Sequence, residues 1–206
     1  MKNPISVNEE RANARLVYMD HLASIAKSSE RINQDVIIAS GSTVSERLDW
    51  ISNLSSDFDA IGIGIDWMLR DPARYNTSSR HNSPVSFIDM ISNNKAKSQV
   101  ILSILTEYFE KTAMFMRGGN NEIYDSYLLK HLLEDKLTLE YGYKNPTLDA
   151  EDNNYVSNGA AKGAMLALGF ATSPDDLKTI NWSSNTSVLD WDKLQNDINK
   201  LKLGIK

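Results

Sequence analysis

Cysteine is missing from the chain, and histidine is scarce. The 206 residues include no cysteine, which excludes disulfide bonds, thiolate metal ligands and thiol nucleophiles. The histidines are His21, His81 and His131. Any chemistry that needs an imidazole must therefore use one of these few positions.

Long apolar segments are missing as well. No window approaches the apolar length of a membrane-spanning helix. The N-terminal residues run into Glu9, Glu10 and Arg11 without the apolar region of a secretion signal. We therefore expect a soluble protein without a membrane partner, which is cytoplasmic or, as the alternative, exported without such a signal.

The sequence also lacks the motifs of common active sites. It has no Gly-x-Ser-x-Gly elbow, no phosphate loop that ends in Gly-Lys-Ser/Thr, and no Gly-x-Gly-x-x-Gly after a clear strand. The segment 159–163, Gly-Ala-Ala-Lys-Gly, lacks the spacing and the terminal hydroxyl of a phosphate loop. These absences favour a protein that is not an enzyme, and we expect no cofactor.

Composition and charge narrow the choice of partner. Hydrophobic residues make up 41% of the chain, enough to bury a core. The formal net charge of −5 disfavours a nucleic-acid partner, because phosphate contacts need clustered Lys and Arg. A basic protein partner fits this charge better. The abundance of Asn, Ser, Lys and Ile is typical of a bacterial or phage source.

Helical periodicity dominates the sequence. Ser6 with Glu9, and Thr43 with Glu46, have the spacing of capping boxes, in which two side chains satisfy unpaired backbone N–H groups at a helix start. Apolar residues then recur at helical spacing, and Leu16 with Met19 belongs to the predicted buried stripe of the first helix. The pattern predicts an all-α, globular, multi-helix domain.

The run from Lys95 to Tyr141 is the predicted centre of the fold. Two strongly apolar stretches flank the break Gly-Gly-Asn-Asn at 118–121. We expect a first helix that continues to about Met116 with Gly118 as its C-terminal cap, and a second helix capped by Asn121. Because the connection is short, the two helices of this hairpin, 95–141, should pack antiparallel.

Two further helix starts can be read from serines. Ser83 as N-cap, with Pro84 at the first helical position, predicts a short helix that stops at Asn93 and Asn94. Ser187 is the predicted N-cap of the last helix.

The character of the sequence changes after Gly142. We predict a helical core over 1–142, and over 143–206 an acidic loop with a smaller C-terminal helical portion packed on that core as part of one domain. In this second portion Gly159 and Gly163 share one face of a small-residue helix. Their spacing permits close contact with another backbone, which would offset the helix-destabilising effect of glycine.

Two short segments fit either a strand or a helix. Residues 36–39, Val-Ile-Ile-Ala, are left undecided. Residues 61–65 alternate Ile and Gly, but a cap at Asp57 and a stop at Arg70 favour a helix.

The polar loop 71–84 contains the candidate binding residues. It brings together Arg74, Tyr75, Arg80 and His81, whose side chains combine flat contact area with directional hydrogen-bond donors. Trp182, in a polar stretch, is a further candidate anchor. The alternatives are a surface loop without a binding role and a Trp182 that packs in the core.

A candidate metal site involves the predicted hairpin. His131 and Glu134 share one helix face, and Glu107 with Glu110 could face them from the partner helix. Together they could ligate a metal or supply a general base. The alternative is a solvated helix face that carries ion pairs.

Three functional hypotheses remain. The leading one is a non-enzymatic interaction protein, of the immunity or inhibitor type, that covers a basic partner. The second is a metal-dependent helical enzyme that uses His131, Glu134, Glu107 and Glu110. The third is a structural subunit of a phage or secretion assembly, for which a homo-oligomer would be expected.

Overall fold

The described part of the chain is helical. The computed structural model describes residues 41–61, 81–112, 124–144, 153–172 and 180–205, with single positions at 15, 16, 19, 20, 23, 27, 28, 32 and 39. Seven helices have both ends within these residues, namely α1 (Val44–Asn53), α2 (Ser55–Ile61), α3 (Ser86–Asn93), α4 (Lys95–Tyr108), α5 (Ser126–Leu139), α6 (Asn158–Ala167) and α7 (Val188–Lys202).

Extended structure in the same residues is limited to two isolated bridges, Lys144 with Asn153 and Thr172 with Ser184. The all-α prediction is confirmed. No helix of the described segments is long and apolar enough to cross a membrane.

Two predicted helix starts are confirmed. Thr43 accepts a hydrogen bond from the backbone N–H of Glu46, whose carboxylate accepts one from the backbone of Thr43, so α1 begins with a complete capping box. Ser187 caps α7 in the same way with Asp190. Both caps are local in sequence, and they can therefore be predicted without knowledge of the packing.

The start of α3 lies later than predicted. Ser83 and Pro84 form a turn in which the backbone N–H of Ser86 donates to the carbonyl of Ser83, and the helix itself begins at Ser86. The predicted stop is confirmed, because α3 ends at Asn93. Asn94 then caps α4 by accepting from the N–H of Lys97 at 3.0 Å.

The end of α4 differs more strongly from the prediction. The helix ends at Tyr108, because Phe109 is extended (φ −115°, ψ 132°) and its buried ring lies against Trp191 at a centroid distance of 5.2 Å. The next residues continue this attachment to the start of α7, where the N–H of Glu110 donates to Asp190 at 3.1 Å. The predicted continuation of the helix to Met116 is therefore wrong.

The start of α5 also differs from the prediction. Its N-cap is Asp125, which accepts from the N–H groups of Tyr127 and Leu128, and not Asn121. Residues 113–123 lie outside the described residues, and Gly118 and Asn121 are among them. The antiparallel hairpin over 95–141 therefore stays a prediction.

Helix α6 lies at the centre of the described core. All ten of its residues are buried, and it packs against α1, α3, α4 and α5. Its Leu166 belongs to a cluster with Phe58 and Trp182, whereas Ala160, Ala164 and Met165 belong to a larger cluster with α4, α5 and α7. That larger core contains residues from both sides of Gly142. The division at residue 142 itself stays a prediction.

The close contact predicted for the glycines of α6 is confirmed. A Cβ atom built at Gly159 would lie 2.1 Å from the carbonyl oxygen of Ser83, and one at Gly163 would lie 2.2 Å from that of Pro84. Such distances leave no room for a side chain. Only glycine lets α6 approach the backbone that leads into α3.

The predicted first helix can be compared with the structure at only a few described residues. Residues 15, 16, 19, 20, 23, 27 and 28 are helical, as expected for a first helix. Leu16 and Met19, however, are exposed at 63% and 55%, so their predicted burial in a core stripe is wrong. Of the two segments that fit either a strand or a helix, Ile61 is the last residue of α2. Residues 36–38 and 62–65 lie outside the described residues.

Candidate functional site

The predicted binding residues fall into three groups. Arg74, Tyr75 and Arg80 lie outside the described residues. His81 is described and exposed, and its ring meets that of Tyr155 edge to face at 6.4 Å. Trp182 is buried, with an exposed fraction of 3%. The interpretation of Trp182 as an exposed anchor is therefore wrong.

The surroundings of Trp182 explain its burial. Its backbone N–H donates to Ser126 Oγ at 3.0 Å, which attaches this segment to the start of α5. The ammonium of Lys162 lies 4.5 Å from its ring centroid, and the ring of Phe58 lies at 6.5 Å. A cation over an indole face is favourable in a buried setting. The polar neighbours of Trp182 in the sequence gave no sign of these distant contacts.

An aromatic ridge lies on the surface next to His81. We use this name for the set His81, Tyr155, Lys130, Tyr127 and His131. The ammonium of Lys130 lies 5.2 Å from the ring centroid of Tyr155 and 5.5 Å from that of Tyr127. The rings of Tyr127 and His131 meet edge to face at 4.7 Å. Tyr127 and Tyr155 remain exposed at 52% and 41%.

Two open grooves flank the ring pair of His81 and Tyr155, which lines both of them. The first groove has a volume of about 480 Å³, and its other lining residues are Asn82, Tyr127, Lys130, Asn158, Ile180 and Asn181. The second has a volume of about 380 Å³, and its other lining residues are Ser86, Asp89, Met90, Asn93, Asn94, Lys97, Asn153 and Ser157. Each volume is within the range of small-ligand sites.

A buried amide, that of Asn158, is among the groups that line the first groove. The side-chain NH₂ of Asn158 lies within hydrogen-bond distance of the carbonyl of Ile180 at 2.9 Å and of Asn181 Oδ1 at 3.0 Å. Asn158 is only 7% exposed, and its own Oδ1 accepts no hydrogen bond in the described residues. A buried acceptor without a donor is costly. The oxygen is itself buried, so a ligand in the groove does not reach it.

A buried lysine, Lys97, lines the second groove and holds the segment that carries Tyr155. Lys97 Nζ donates to the carbonyls of Asn153 at 2.9 Å and Tyr155 at 2.6 Å, and forms no ion pair within the described residues. Burial lowers the pKa of Lys97 to about 8, although Glu134 acts in the opposite direction. Glu134 also accepts from the N–H of Val156 at 3.0 Å. These bonds fix the segment that carries Tyr155.

Electrostatics at the site are close to balanced. Among the described residues that line the first groove, Lys130 is the only one with a formal charge, and its ammonium lies 3.8 Å from Glu134. Burial raises the pKa of Asp125, which lies at the start of α5, against the lowering effect of its backbone hydrogen bonds. Burial, followed by Glu134, also raises the pKa of Tyr155.

The candidate metal residues do not converge. His131 Nδ1 and Glu134 Oε2 are 2.9 Å apart, as the shared helix face predicts. Glu110 follows the end of α4, so the helical spacing expected between Glu107 and Glu110 is absent. Among the residues that the structure describes, no group of three or more His, Asp or Glu side chains could hold a metal ion.

Sequence reasoning missed most of the ridge and its grooves. Tyr155 follows two asparagines, and such an aromatic residue in a polar segment is the same signal that drew attention to Trp182. Tyr127 and Lys130 lie within a helix whose sequence shows no distinguishing pattern. Asn158 gives no signal at all, because its role depends on residues far away in the chain.

The comparisons with known proteins leave the site without a precedent. No model of a protein family, no curated protein and no solved structure matches this chain. The function must therefore be inferred from the ridge and the grooves themselves. Their side chains offer flat apolar area with hydrogen-bond donors and acceptors, which are the means of recognition and binding.

Proposed function

We propose that the protein is a non-enzymatic interaction module that binds another protein through the aromatic ridge. The observation that supports this most is the exposure of Tyr127 and Tyr155 beside two open grooves. Tyrosine is enriched among residues that dominate binding energy, because it combines a large flat surface with a polar group. The surrounding contacts hold both rings in place, so little conformational freedom is lost on binding.

The partner is proposed to be a basic protein, which the net charge of −5 would attract over long distances. A protein of the immunity or inhibitor type, which covers a functional surface of its partner, fits this description. The charge acts mainly on the rate of association. The ridge would provide the short-range contacts that keep the complex together.

A retention experiment tests this proposal. Immobilised protein is exposed to an extract of the source organism, and retained proteins are identified by mass spectrometry. We expect a partner that is retained by the wild type but not by the double variant Tyr127→Ala, Tyr155→Ala. Tyr141→Ala is the matched control, because Tyr141 has a similar exposed fraction of 40% but lines neither groove.

Two outcomes would count against this function. Equal retention by the double variant would remove the ridge from the interface. Substrate turnover by the purified protein that disappeared in His131→Ala would instead favour an enzyme. A basic partner should also associate more slowly as salt is added, because screening weakens attraction between the two proteins.

A further inference from the structure

We infer that Lys97 is a protonation-dependent latch, which fixes Tyr155 in the aromatic ridge while its side chain carries a proton and releases Tyr155 when that proton is lost. The effect of the latch on partner binding rests on the proposed function. The release of Tyr155 itself is a property of the protein alone and is measured without a partner.

The acceptors around Lys97 need three donors. Nζ donates to the carbonyls of Asn153 at 2.9 Å and Tyr155 at 2.6 Å, and to Asn153 Oδ1 at 3.2 Å. A lysine ammonium has three N–H donors, whereas the neutral amine has two donors and a lone pair. Loss of the proton therefore removes one of the three bonds. It also weakens the remaining two, because hydrogen bonds from a charged donor are roughly twice as strong as neutral ones.

The residues on both sides of Tyr155 have contacts that do not need this proton. The N–H of Asn154 donates to the carbonyl of Lys144 at 2.7 Å, and the N–H of Val156 donates to Glu134 at 3.0 Å. The segment therefore stays attached when the latch opens. Release should be local and should affect Tyr155 more than Val156.

The position of Lys97 allows the proton to be lost at a moderate pH. The residue is 5% exposed, and burial lowers the pKa of Lys97 from 10.5 to about 8. Its ammonium also lies in the first turn of α4, where the helix dipole disfavours a cation. Because Lys97 lines the second groove, the proton has a route to solvent.

Charged and titratable groups from neighbouring elements surround this lysine. Glu134 of α5 favours the protonated form of Lys97. The ring of Tyr143, with its centroid 6.0 Å from Nζ, favours the cation as well. From the side of α3, Asp89 and His81 line the same groove. The test must therefore separate the titration of Lys97 from that of Asp89 and His81.

The other nearby groups do not compete for this role. Burial, followed by Glu134, raises the pKa of Tyr155, so its hydroxyl keeps its proton when Lys97 releases one. Lys95, the other charged residue in the first turn of α4, is exposed to solvent. Lys162 of α6 donates to the carbonyl of Asn82 at 2.8 Å and not to the segment of Tyr155.

A pH titration of the whole protein tests the latch. Carbon-detected NMR is used, because it does not depend on exchanging amide protons. We expect the carbonyl shifts of Asn153 and Tyr155 to titrate together with the Cε shift of Lys97, with a midpoint close to 8. Over the same range the backbone order parameter of Tyr155 should fall from about 0.85 toward about 0.6, while that of Val156 stays constant.

Two variants assign the change to Lys97. Lys97→Arg keeps a charged N–H donor throughout the titration, so Tyr155 should stay ordered and its carbonyl shift should not titrate. Lys97→Met has no donor, so Tyr155 should already be released at neutral pH. Both variants retain Asp89 and His81, so a change caused by those groups would persist in them. Circular dichroism verifies that the variants are folded, and the titration of the wild type does not depend on them.

Three results would overturn the inference. These are carbonyl shifts of Asn153 and Tyr155 that do not follow Lys97, an unchanged order parameter of Tyr155 across the midpoint, or a change that persists in Lys97→Arg. Confirmation of the latch without any retained partner would reject the proposed function and leave the latch in place. With a retained partner, the wild type should bind less tightly above the midpoint than below it, and Lys97→Arg should show no such difference. Equal binding by the wild type on both sides would reject the role of the latch in binding.

Discussion

Helix α6 and the neighbouring aromatic ridge depend on side chains of very different size. At Gly159 and Gly163 the absence of a side chain lets α6 touch the backbone of Ser83 and Pro84. A few residues away, Tyr155 presents a large ring that remains 41% exposed. Close packing is intolerant of added atoms, whereas an exposed ring can be removed with little strain. Stability and binding should therefore respond to different substitutions.

The largest effect is expected at Gly159. In Gly159→Ala the new methyl group would lie 2.1 Å from the carbonyl oxygen of Ser83, so two backbones must move apart. We expect a loss of about 3 kcal/mol in the free energy of unfolding, measured by urea denaturation. Gly142→Ala is the control, because nothing lies within 4 Å of its Cβ position and only its positive φ opposes alanine. Equal losses in both variants would contradict the packing argument.

The second prediction concerns Lys97, which is buried like the residues of α6 but supports the ridge. The pKa of Lys97 is lowered to about 8 from 10.5, so between these values the unfolded chain still holds a proton that the folded chain has released. Rising pH therefore favours the folded state through this window. We expect a gain on the order of 2 kcal/mol from pH 8 to 10.5, which Lys97→Met should lack.

Lys136 provides the control for this pH dependence. It is 3% exposed, and burial alone would lower its pKa, but its bonds to Asp197 and Glu140 outweigh this effect and raise the pKa. Its contribution to stability should be present below its ordinary pKa and be lost only as pH rises through the raised value. Lys136→Met should therefore keep the rise between pH 8 and 10.5. A rise that persists in Lys97→Met would exclude Lys97 as its source.

The third prediction concerns Tyr155, whose removal should affect binding more than stability. Tyr155→Ala should weaken partner binding at least tenfold, which is about 1.4 kcal/mol, because an anchor ring is removed from the ridge. Its free energy of unfolding should fall by less than about 1 kcal/mol, because the ring is already partly exposed. Calorimetry and urea denaturation measure the two quantities. A large loss of stability with unchanged binding would show instead that Tyr155 has a structural role, as the glycines of α6 do.

The same contrast explains what the sequence could predict. Caps at Thr43 and Ser187 and the glycine spacing in α6 depend on neighbours in the chain, and the structure confirms all of them. The end of α4 was missed because it is decided by the contact between Phe109 and Trp191, which are distant in sequence. Burial of Trp182 depends in the same way on Lys162. Local signals identify helices, but they do not identify which polar segment faces solvent.

The candidate site shows this limit more strongly. The sequence made His81 a candidate because histidine is rare in the chain and this one lies in a polar segment. Its companions, Tyr155 and Asn158, become a site only when segments from different parts of the chain meet. Because no local pattern encodes that meeting, the grooves could not be predicted from the sequence.

The smallest effect is expected at the outer end of the ridge. His131 is exposed, and its contact with Glu134 at 2.9 Å is an i, i+3 pair on a solvated helix face. Exposed pairs of this kind contribute little, so His131→Ala should change the free energy of unfolding by no more than about 0.5 kcal/mol. Glu134→Ala should cost more, because Glu134 also accepts from the backbone of Val156 and helps to fix the segment of Tyr155. Urea denaturation of both variants measures this difference. If His131→Ala were as costly as Glu134→Ala, the histidine would have a structural role that its exposure does not suggest.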